Sequence, residues 1–572
     1  MESFATLQTI GVVLAIISIL GVYLYNAGRP RPLPDIPYNP ISAKRFLGDG
    51  PDLFKWAAEH GSPYGYLPEM IKKLDSPIVQ VFLRPFGRPW IIVADPYEAH
   101  DVRTRRFKEF DRSNFLGELF VTLLPKMHIH MPTGEEWKSH RKLIADTMSP
   151  AFLGSVAGPQ MWESTQNIIT LWRRKAELAQ GRPFDASKDV VKGALDIVVA
   201  ATFGEECGSA RAQIAALKDA KIDLPSNKDT EILFPKARDP PDFESIETLT
   251  TSLDIPVSSL FPKLAHRFAL NFSPSLISAR RAKDTMLKTK LEQAHQKFSN
   301  QTQDTNTQTF RHMTSALDLL VARETQMAAK EHRNANPNTP AIRDELFGFL
   351  LAGFETTSTT ITWILKFLTK NHSAQTTLRS ALRSAYPRAA ESGESPSISE
   401  ITSTSVPYLD AVVEEGGRVG LTSIASIRVA TEDTQLLGYR VPKGTDVFFM
   451  NNGPGVVMPS LKSCGEKRSK GGVASREKLG SWDDGDVREF KPERWLTEDG
   501  EFDSLAGPSQ PFGGGPRGCF GKKWAQLEMR VVLTLIFFHF ELLPLPEKYS
   551  SMVAIDGITH RPAMCYVRLK AL

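Results

Sequence analysis

The chain has 572 residues, of which 41% are apolar and 23% charged, with 39 Gly and 39 Pro. This composition excludes collagen-like, disordered and disulfide-scaffold proteins. The 69 basic and 65 acidic residues leave a net charge of +4, which is too small for a nucleic-acid-binding protein. The four cysteines are Cys207, Cys464, Cys519 and Cys565. They form neither a C-x-x-C pair nor a dense disulfide pattern, which favours a reduced, cytosol-facing globular body.

The N-terminal segment, residues 1–28, is predicted to be a single transmembrane anchor. No charged side chain lies between Glu2 and Arg29, and the apolar run IGVVLAIISILGVYLY with its uncharged flanks is long enough to cross a bilayer. A cleaved signal peptide is the alternative, but no basic residue precedes the run and no small-x-small site follows it. The positive-inside rule places the rest of the chain in the cytosol, since the flanking cations all follow the run: Arg29, Arg31, Lys44 and Arg45.

After the anchor, residues 29–45 contain RPRPLPDIPYNP and are expected to form an extended, semi-rigid hinge. Residues 46–572 show no repeat and no second linker, which favours one large, mainly helical α+β domain. Within it, residues 461–480 are polar and predict a surface insertion. Apolar spacing predicts helices at 160–178, 186–203, 276–298, 342–369 and 520–537, and strands at 77–83, 90–94 and 446–450.

Near the C-terminus, residues 511–521 read PFGGGPRGCFG. Consecutive glycines let this backbone turn tightly and approach a flat cofactor. Cys519 lies at the start of a predicted helix, where the dipole and free N–H groups favour the thiolate form that binds metals. A lone cysteine there is usually a small buried hydrophobe, but the spacing Phe-x-x-Gly-x-Arg-x-Cys-x-Gly, from Phe512 through Arg517, is far more specific.

This segment resembles the haem-binding loop of the cytochrome P450 family. The resemblance implies a b-type haem whose iron is axially ligated by Cys519, with Phe512 and Arg517 in the cofactor-binding loop. It also implies the P450 fold, a single large haem domain that is mainly α with small β-sheets, behind the transmembrane helix. Three further motifs are then expected upstream.

The first motif is W-x-x-x-R, supplied by Trp137 and Arg141 one helical turn apart. Arginine pairs with carboxylates in a bidentate manner and the indole N–H donates a hydrogen bond, which suits haem propionates. A surface amphipathic helix is the alternative from these residues alone. By the same resemblance, Arg428 and Arg517 are two further propionate ligands. Three neighbouring histidines lack the carboxylate spacing of a metal site: His128, His130 and His140.

The second motif is A-G-x-[DE]-T, which lies in the predicted helix 342–369. Thr356 can donate to the carbonyl of Ala352, and the small residues Ala352 and Gly353 leave a groove for a diatomic ligand. A packed helix without catalytic purpose is the alternative. In the family this threonine and acid support proton delivery during oxygen activation, so Thr356 and Glu355 are the predicted catalytic residues.

The third motif is E-x-x-R, formed by Glu415 and Arg418 on one helical face. Its partner in the family is a second arginine, here Arg494 of the PERW segment. Two glycines, Gly416 and Gly417, depart from the usual pattern and each costs about 1 kcal/mol relative to alanine in a helix interior. A loosened helix end is therefore expected.

Together these motifs imply a membrane-anchored haem-thiolate monooxygenase that uses O2 to oxidise a hydrophobic small molecule, in secondary-metabolite biosynthesis. The implied location is the endoplasmic reticulum membrane, with a single span and a cytosolic catalytic domain. By family analogy, residues 112–131, 346–356 and 420–427 line the substrate pocket.

Electrons must come from another protein, because the chain has neither a dinucleotide-binding fingerprint nor a flavin domain. The resemblance implies an NADPH–cytochrome P450 reductase, docking on Lys522, Lys523 and Arg530. Two alternatives are a haem-thiolate isomerase or dehydratase that needs no reductase, and a non-catalytic haem-binding membrane protein. The intact threonine motif argues against the first, and the Gly416–Gly417 pair gives the second some weight.

Overall fold

The structure is a computed structural model that describes residues 2–299, 313–465 and 467–572. Many of its helices begin or end at capping residues, prolines or glycines of the sequence. The α-helices in these residues are α1 (Glu2–Gly28), α2 (Gly50–His60), α3 (Tyr66–Lys73), α4 (Pro96–Thr104), α5 (Asn114–Phe120), α6 (Glu135–Ile144), α7 (Pro150–Phe152), α8 (Gly158–Ala179), α9 (Ser187–Phe203), α10 (Ser209–Leu217), α11 (Pro241–Thr251), α12 (Asp254–Val257), α13 (Pro262–Phe272), α14 (Pro274–Ser299), α15 (Ala316–Lys330), α16 (Pro340–Lys370), α17 (His372–Ala385), α18 (Pro387–Ser392), α19 (Ile398–Ser403), α20 (Pro407–Gly420), α21 (Lys470–Leu479) and α22 (Lys522–His539).

The β-strands are short and form small sheets. They are β1 (Ile78–Val81), β2 (Trp90–Val93), β3 (Phe110–Arg112), β4 (Phe184–Asp185), β5 (Ala425–Ala430), β6 (Thr434–Leu436), β7 (Tyr439–Val441), β8 (Asp446–Met450), β9 (Phe540–Leu542), β10 (Ala554–Asp556), β11 (His560–Pro562), β12 (Tyr566–Val567) and β13 (Leu569–Ala571). The predicted helices are present as α8, α9, α14, α16 and α22, and the predicted strands as β1, β2 and β8. The mainly α fold class is confirmed.

The chain divides into two compact units, of which the first comprises residues 1–111, 425–478 and 483–485. Its centre is a five-stranded sheet in the order β1-β2-β8-β5-β3. Strand β2 pairs antiparallel with β1 and parallel with β8, and β5 pairs antiparallel with β8. The β-branched residues that predict these strands are buried in its core, for example Ile78, Ile91 and Val447.

The proline-rich hinge belongs to the packed body of this first unit. Buried Gln80 on β1 donates from Nε2 to the carbonyls of Leu33 at 2.9 Å and Ile36 at 2.7 Å, and its Oε1 accepts from the Leu33 N–H at 2.8 Å. Ile36 is buried in the sheet's core. The segment predicted to be an extended spacer is thus fixed against β1 over these residues.

The predicted surface insertion, residues 461–480, is tied to α4 within the first unit. Nε of Arg468 lies 2.7 Å from the buried carboxylate of Asp95, and the Ser469 hydroxyl donates to Glu98 at 2.8 Å. Asp95 also caps α4 by accepting from the Glu98 N–H. A buried ion pair therefore anchors this insertion, which contains α21.

The second unit comprises residues 112–424, 479–482 and 486–572 and holds the largest hydrophobic core. Its longest helix, α16, begins where Thr339 accepts from the Ile342 N–H at 3.3 Å and Pro340 occupies the first turn. The helix ends at Lys370, and the side chain of the next residue, Asn371, caps α17 by accepting from the Ala374 N–H at 3.0 Å. These caps hold a continuous 31-residue helix that carries the predicted catalytic motif.

The glycine pair of the E-x-x-R helix serves close packing. A Cβ atom at Gly416 would lie 2.3 Å from Cγ1 of Ile364 on α16, and one at Gly417 would lie 3.2 Å from Cγ of Pro511. Any larger residue at Gly416 would push α20 off α16. The expected loosening of the helix end was wrong, since α20 continues to Gly420 and both glycines are buried. The pair therefore gives no support to a non-catalytic protein.

A buried acid on α22 was not anticipated from the sequence. Glu528 is fully buried beside a cavity of about 20 Å³ lined by apolar residues of α8, α9 and α16, enough room for one water molecule. Its Oε2 accepts from the Trp524 indole N–H at 2.9 Å, and Oε1 has no hydrogen-bond partner among the described residues. Burial raises the pKa of Glu528 to about 8, so the folded protein carries it uncharged at neutral pH.

This raised pKa predicts a pH-dependent stability difference between the wild type and Glu528→Gln. The stabilising contribution of the protonated acid is complete below the unfolded-state pKa and is lost as pH rises toward about 8. Between pH 6 and 8 the free energy of unfolding of the wild type should fall relative to that of the variant, by about 1.4 kcal/mol per pH unit. Denaturant titrations at both pH values measure this difference. Exposed Glu498 provides the control variant Glu498→Gln. If the free energies of unfolding of the wild type and Glu528→Gln changed equally between pH 6 and 8, the prediction would be refuted.

Candidate active site

The cysteine-bearing loop closes on itself through backbone hydrogen bonds. The Cys519 N–H donates to the Phe512 carbonyl at 2.8 Å, and the Gly518 N–H donates to the Gly515 carbonyl at 3.0 Å. Gly513 and Gly515 have φ values of 66° and 64°, a left-handed conformation that residues with a Cβ atom rarely adopt. The glycines are thus needed to bring Phe512 and Cys519 together.

Cys519 lies three residues before α22, which begins at Lys522. Its side chain is exposed at one face, yet the dense protein around its other faces desolvates the sulfur. This burial raises the pKa of the Cys519 thiol, against the lowering effects of the Gly521 N–H and the charges of Arg141 and Lys522. The N–H group at the helix start favours the thiolate as predicted, but burial of the sulfur outweighs it. A metal cation at the sulfur would lower the pKa of the thiol and favour the thiolate, because a coordinating thiol is deprotonated.

Arg517 is buried beneath the indole ring of Trp137. Its guanidinium carbon lies 4.6 Å from the ring centroid, and Nη2 donates to the Met131 carbonyl at 2.7 Å. Nη1 donates to the Thr133 hydroxyl at 3.3 Å. These contacts fix a permanent positive charge beside the loop that carries Cys519.

Arg141 is half-buried and stacks on two aromatic rings. Its guanidinium carbon lies 4.4 Å from the Phe520 ring centroid and 5.7 Å from that of Trp137. Across the described parts of the chain, Arg141 makes no hydrogen bond or ion pair with another residue. Burial lowers its pKa, while the charges of Cys519 and Glu345 act in the opposite direction. A half-buried cation without a carboxylate partner, beside a cysteine, fits a cofactor that carries acidic groups.

The threonine motif lies in the middle of α16. The Thr356 hydroxyl donates to the Ala352 carbonyl at 2.7 Å, as predicted, and the Thr356 side chain is exposed although the helix crosses the core. Gly353 does not leave the predicted groove, because a Cβ there would lie 2.7 Å from Cγ2 of Val198 on α9. Its small size serves helix packing instead.

Glu355 points toward the strand β11 region of the same unit. Its Oε1 accepts from the Thr559 hydroxyl at 3.0 Å and lies 3.8 Å from Nη1 of Arg561. Burial raises the pKa of Glu355, and the Thr559 hydrogen bond and the Arg561 charge only partly oppose it. A carboxyl group with a raised pKa can hold and release a proton nearer neutral pH.

Arg428 lies on β5 in the first unit. Its side chain is buried, and Nη1 donates to the Ile427 carbonyl at 3.0 Å. Burial lowers the pKa of Arg428 to about 10, against the effect of the Asp111 carboxylate. Its predicted role as a propionate ligand stays a prediction.

The structure forms the predicted Glu–Arg–Arg network. Arg418 donates to both carboxylate oxygens of Glu415 at 2.7 Å, and both side chains are fully buried. Nε of Arg494, in the PERW segment, lies 3.1 Å from Glu415 Oε1. Trp495 completes the set by donating its indole N–H at 2.9 Å. The carboxylate is thereby satisfied on both oxygens.

Some contacts of the site were not singled out from the sequence. They are Phe520 under Arg141, the Met131 carbonyl that holds Arg517, and Glu345, which accepts hydrogen bonds from His128 and His140. Glu345 offered only a weak signal, one of two adjacent acids near the start of a mainly apolar helix. The histidines are buried or half-buried against this acid.

Comparison with known proteins places these features in a family. The family model for cytochrome P450 matches residues 53–453 and 485–562. The chain is 42% identical over 570 residues to the cytochrome P450 monooxygenase GME11363 of Pestalotiopsis microspora, with 99% of each chain covered. It is 35% identical to the cytochrome P450 monooxygenase TRI13 of Fusarium sporotrichioides, covering 96% of this chain and 97% of that one. It is 33% identical to the cytochrome P450 monooxygenase xilC of Penicillium crustosum, covering 96% and 94%. The chain therefore belongs to the cytochrome P450 family and is a monooxygenase.

Proposed function

We propose that Cys519 is the thiolate ligand of the haem iron, and that Arg141 and Arg517 bind the haem carboxylates. The family uses haem b with cysteine thiolate ligation. The observation that carries the proposal is the packing of two guanidinium groups on Trp137 and Phe520, beside the tight loop that presents Cys519. Phe512 supports the loop through its carbonyl, which accepts from the Cys519 N–H.

Bound haem supplies the redox chemistry, since a thiolate ligand pushes electron density toward cleavage of the O–O bond. In a P450 monooxygenation two electrons and two protons are consumed, one oxygen atom enters the substrate and the other leaves as water. The chain's own contribution is to hold the cofactor and to move protons. We assign the proton movement to the Thr356 hydroxyl and the Glu355 carboxyl, because both lie on the helix turn that follows Ala352.

Replacing Thr356 with alanine should uncouple electron use from product formation. The Thr356→Ala protein is expected to keep its haem while diverting oxygen to peroxide, because a proton donor has been lost. The ratio of peroxide to NADPH consumed measures this. Thr357→Ala is the matched control, since buried Thr357 makes the same type of bond, to the Gly353 carbonyl at 2.8 Å. Equal coupling in the two variants would remove Thr356 from the relay.

The substrate of a P450 monooxygenase is a hydrophobic molecule. We extend this to a secondary metabolite, an assignment supported by the fungal origin of the similar monooxygenases. Half-buried apolar side chains in the predicted pocket segments suit such a molecule: Phe115, Leu116, Phe349 and Ile424. The test is to express the full chain with a reductase under labelled dioxygen. Products carrying one labelled oxygen atom support the function, and reductase-independent products without label would contradict it.

P450 monooxygenases need a redox partner. We propose that it is an NADPH–cytochrome P450 reductase that docks on exposed Lys522 and Lys523 at the start of α22. We leave Arg530 out of the predicted docking surface, because all of its guanidinium nitrogens bind groups within the second unit. Its Nη1 lies 2.7 Å from Asp410, and its other nitrogens donate to the carbonyls of Ile401 and Thr404.

Charge reversal tests this docking surface. Lys522→Glu/Lys523→Glu should slow electron transfer from the reductase by about tenfold at low salt and flatten its salt dependence. Stopped-flow reduction at several ionic strengths measures both effects. Lys548→Glu, which reverses an exposed lysine elsewhere, is the control. Unchanged rate and salt slope in the double variant would eliminate the surface.

We also propose that α1 anchors the protein in the endoplasmic reticulum membrane, with the catalytic body in the cytosol. Ile10–Gly28 is long and apolar enough to cross a bilayer, and residues 10–26 are exposed. Cell fractionation with alkaline extraction should recover the full chain in membranes, and deletion of residues 2–28 should release most of it. A full chain recovered as a processed, lumenal or secreted form would show a signal sequence instead.

A further inference from the structure

Glu345 on α16 joins three segments of the second unit through one buried carboxylate. Its side chain is fully buried. Oε2 lies 2.6 Å from Nδ1 of His128, and Oε1 lies 2.7 Å from Nδ1 of His140 on α6. The backbone N–H of His128 donates to Oε1 at 2.7 Å. One acid thus ties helix α16 to helix α6 and to the segment that precedes α6.

The Glu345 carboxylate is held in its ionised form. Burial acts to raise the pKa of Glu345, but hydrogen bonds from His128 and His140 outweigh it and hold the pKa below its ordinary value. An ionised carboxylate only accepts hydrogen bonds, so both histidines present Nδ1–H to it. Three N–H donors thereby offset the cost of burying the charge.

Each partner of Glu345 stands next to a group proposed to hold the cofactor. The His128 ring meets the Phe520 ring edge-on, with centroids 5.9 Å apart. His140 immediately precedes Arg141, whose guanidinium carbon lies 4.4 Å from the centroid of the same Phe520 ring. Phe520, which directly follows Cys519, thus contacts the cluster through His128, and Arg141 is joined to it through the backbone of His140 and by its packing on Phe520.

A neighbouring contact provides a natural comparison. Asp344, the residue before Glu345, accepts from the Lys126 N–H at 2.7 Å and so fastens the same segment to α16. This contact reaches the segment two residues before His128 and involves neither histidine. Loss of the Asp344 contact should loosen the segment while leaving the bonds of Glu345 to His140 and α6 in place.

We propose that Glu345, His128 and His140 form a positioning cluster that orients Arg141 and Phe520 at the haem-binding loop. Because the cluster acts on groups that hold the cofactor, the inference rests on the proposed function of Arg141 and Cys519. None of the three residues is assigned contact with the haem. The buried negative charge of Glu345 also opposes the addition of an electron nearby, so its removal makes reduction of the haem easier.

The test compares full-length, haem-loaded variants by the rate of haem transfer to an excess of apomyoglobin. Glu345→Gln removes the charge, and His140→Leu removes one donor while keeping Glu345. Both should release haem about tenfold faster than the wild type, the usual effect of losing a group that orients a ligand. Glu345→Gln should also shift the haem reduction midpoint to a more positive potential.

Three further variants separate positioning from general loss of stability. His140→Gln restores an N–H donor and should release haem within about threefold of the wild-type rate. Asp344→Asn removes the neighbouring contact, and Asp196→Asn removes a buried carboxylate that accepts from the Ser209 and Ala210 N–H groups. If Glu345→Gln and His140→Leu release haem no faster than these two controls, with an unchanged midpoint, the positioning cluster is refuted. A wild type that lacks a haem-thiolate spectrum would instead refute the proposed function.

Discussion

Replacing Cys519 with alanine should reduce product formation to the background of the assay and lower the haem content of the purified protein. Alanine offers no ligand to iron, while Arg141 and Arg517, which we propose bind the haem carboxylates, are unchanged, so partial haem retention without activity is expected. Haem content per chain and product formation with reductase and NADPH measure the two effects. This is the largest change in activity that the structure predicts for one side chain.

Cys207 supplies the matched control for this substitution. It is half-buried in the same unit, and burial raises its pKa far above the ordinary range for a thiol. The Cys207→Ala protein should therefore keep its haem and its activity. Wild-type activity in Cys519→Ala, or a loss in Cys207→Ala as complete as that in Cys519→Ala, would contradict the assignment of the ligand.

Replacing Glu415 with glutamine should lower the free energy of unfolding by about 3–5 kcal/mol, the largest stability effect predicted here. The substitution leaves the fully buried Arg418 and the nearly buried Arg494 without their shared carboxylate. A buried charge without its partner is far less favourable than an intact ion pair. Denaturant titration of the wild type and the variant measures the difference.

A surface ion pair of the same chemistry provides the comparison. Arg388 lies 3.3 Å from Glu400 and is 86% exposed, so Arg388→Ala should cost about 1 kcal/mol or less. Similar losses in Glu415→Gln and Arg388→Ala would show that burial of the Glu–Arg–Arg network contributes little to stability.

Local periodicity was sufficient to predict the elements that carry the site. Helix α16 was anticipated at 342–369 because its apolar spacing is long and regular, and its caps, Thr339 and Asn371, lie just outside that range. The loop around Cys519 was anticipated because its spacing is specific. The start of α22 was placed two residues too early, since the apolar stripe extends into the loop before the helix.

Contacts between distant segments could not be predicted in this way. The role of Gly416 depends on Ile364 of another helix, and the internal role of Arg530 depends on carbonyls more than a hundred residues away. Likewise, Glu345 meets His128 and His140 across separations of 217 and 205 residues. No local pattern indicates such partners. From the sequence alone, Gly416 therefore resembled a helix defect, Arg530 a surface cation and Glu345 an ordinary acid.

The central claim is that Cys519 provides the thiolate of a haem monooxygenase, and the carbon monoxide difference spectrum of the reduced, full-length protein tests it most directly. The account predicts the long-wavelength Soret band of thiolate-ligated haem in the wild type and in Cys207→Ala, and its absence in Cys519→Ala. A wild-type spectrum typical of histidine-ligated haem, or a thiolate band that persists in Cys519→Ala, would contradict it.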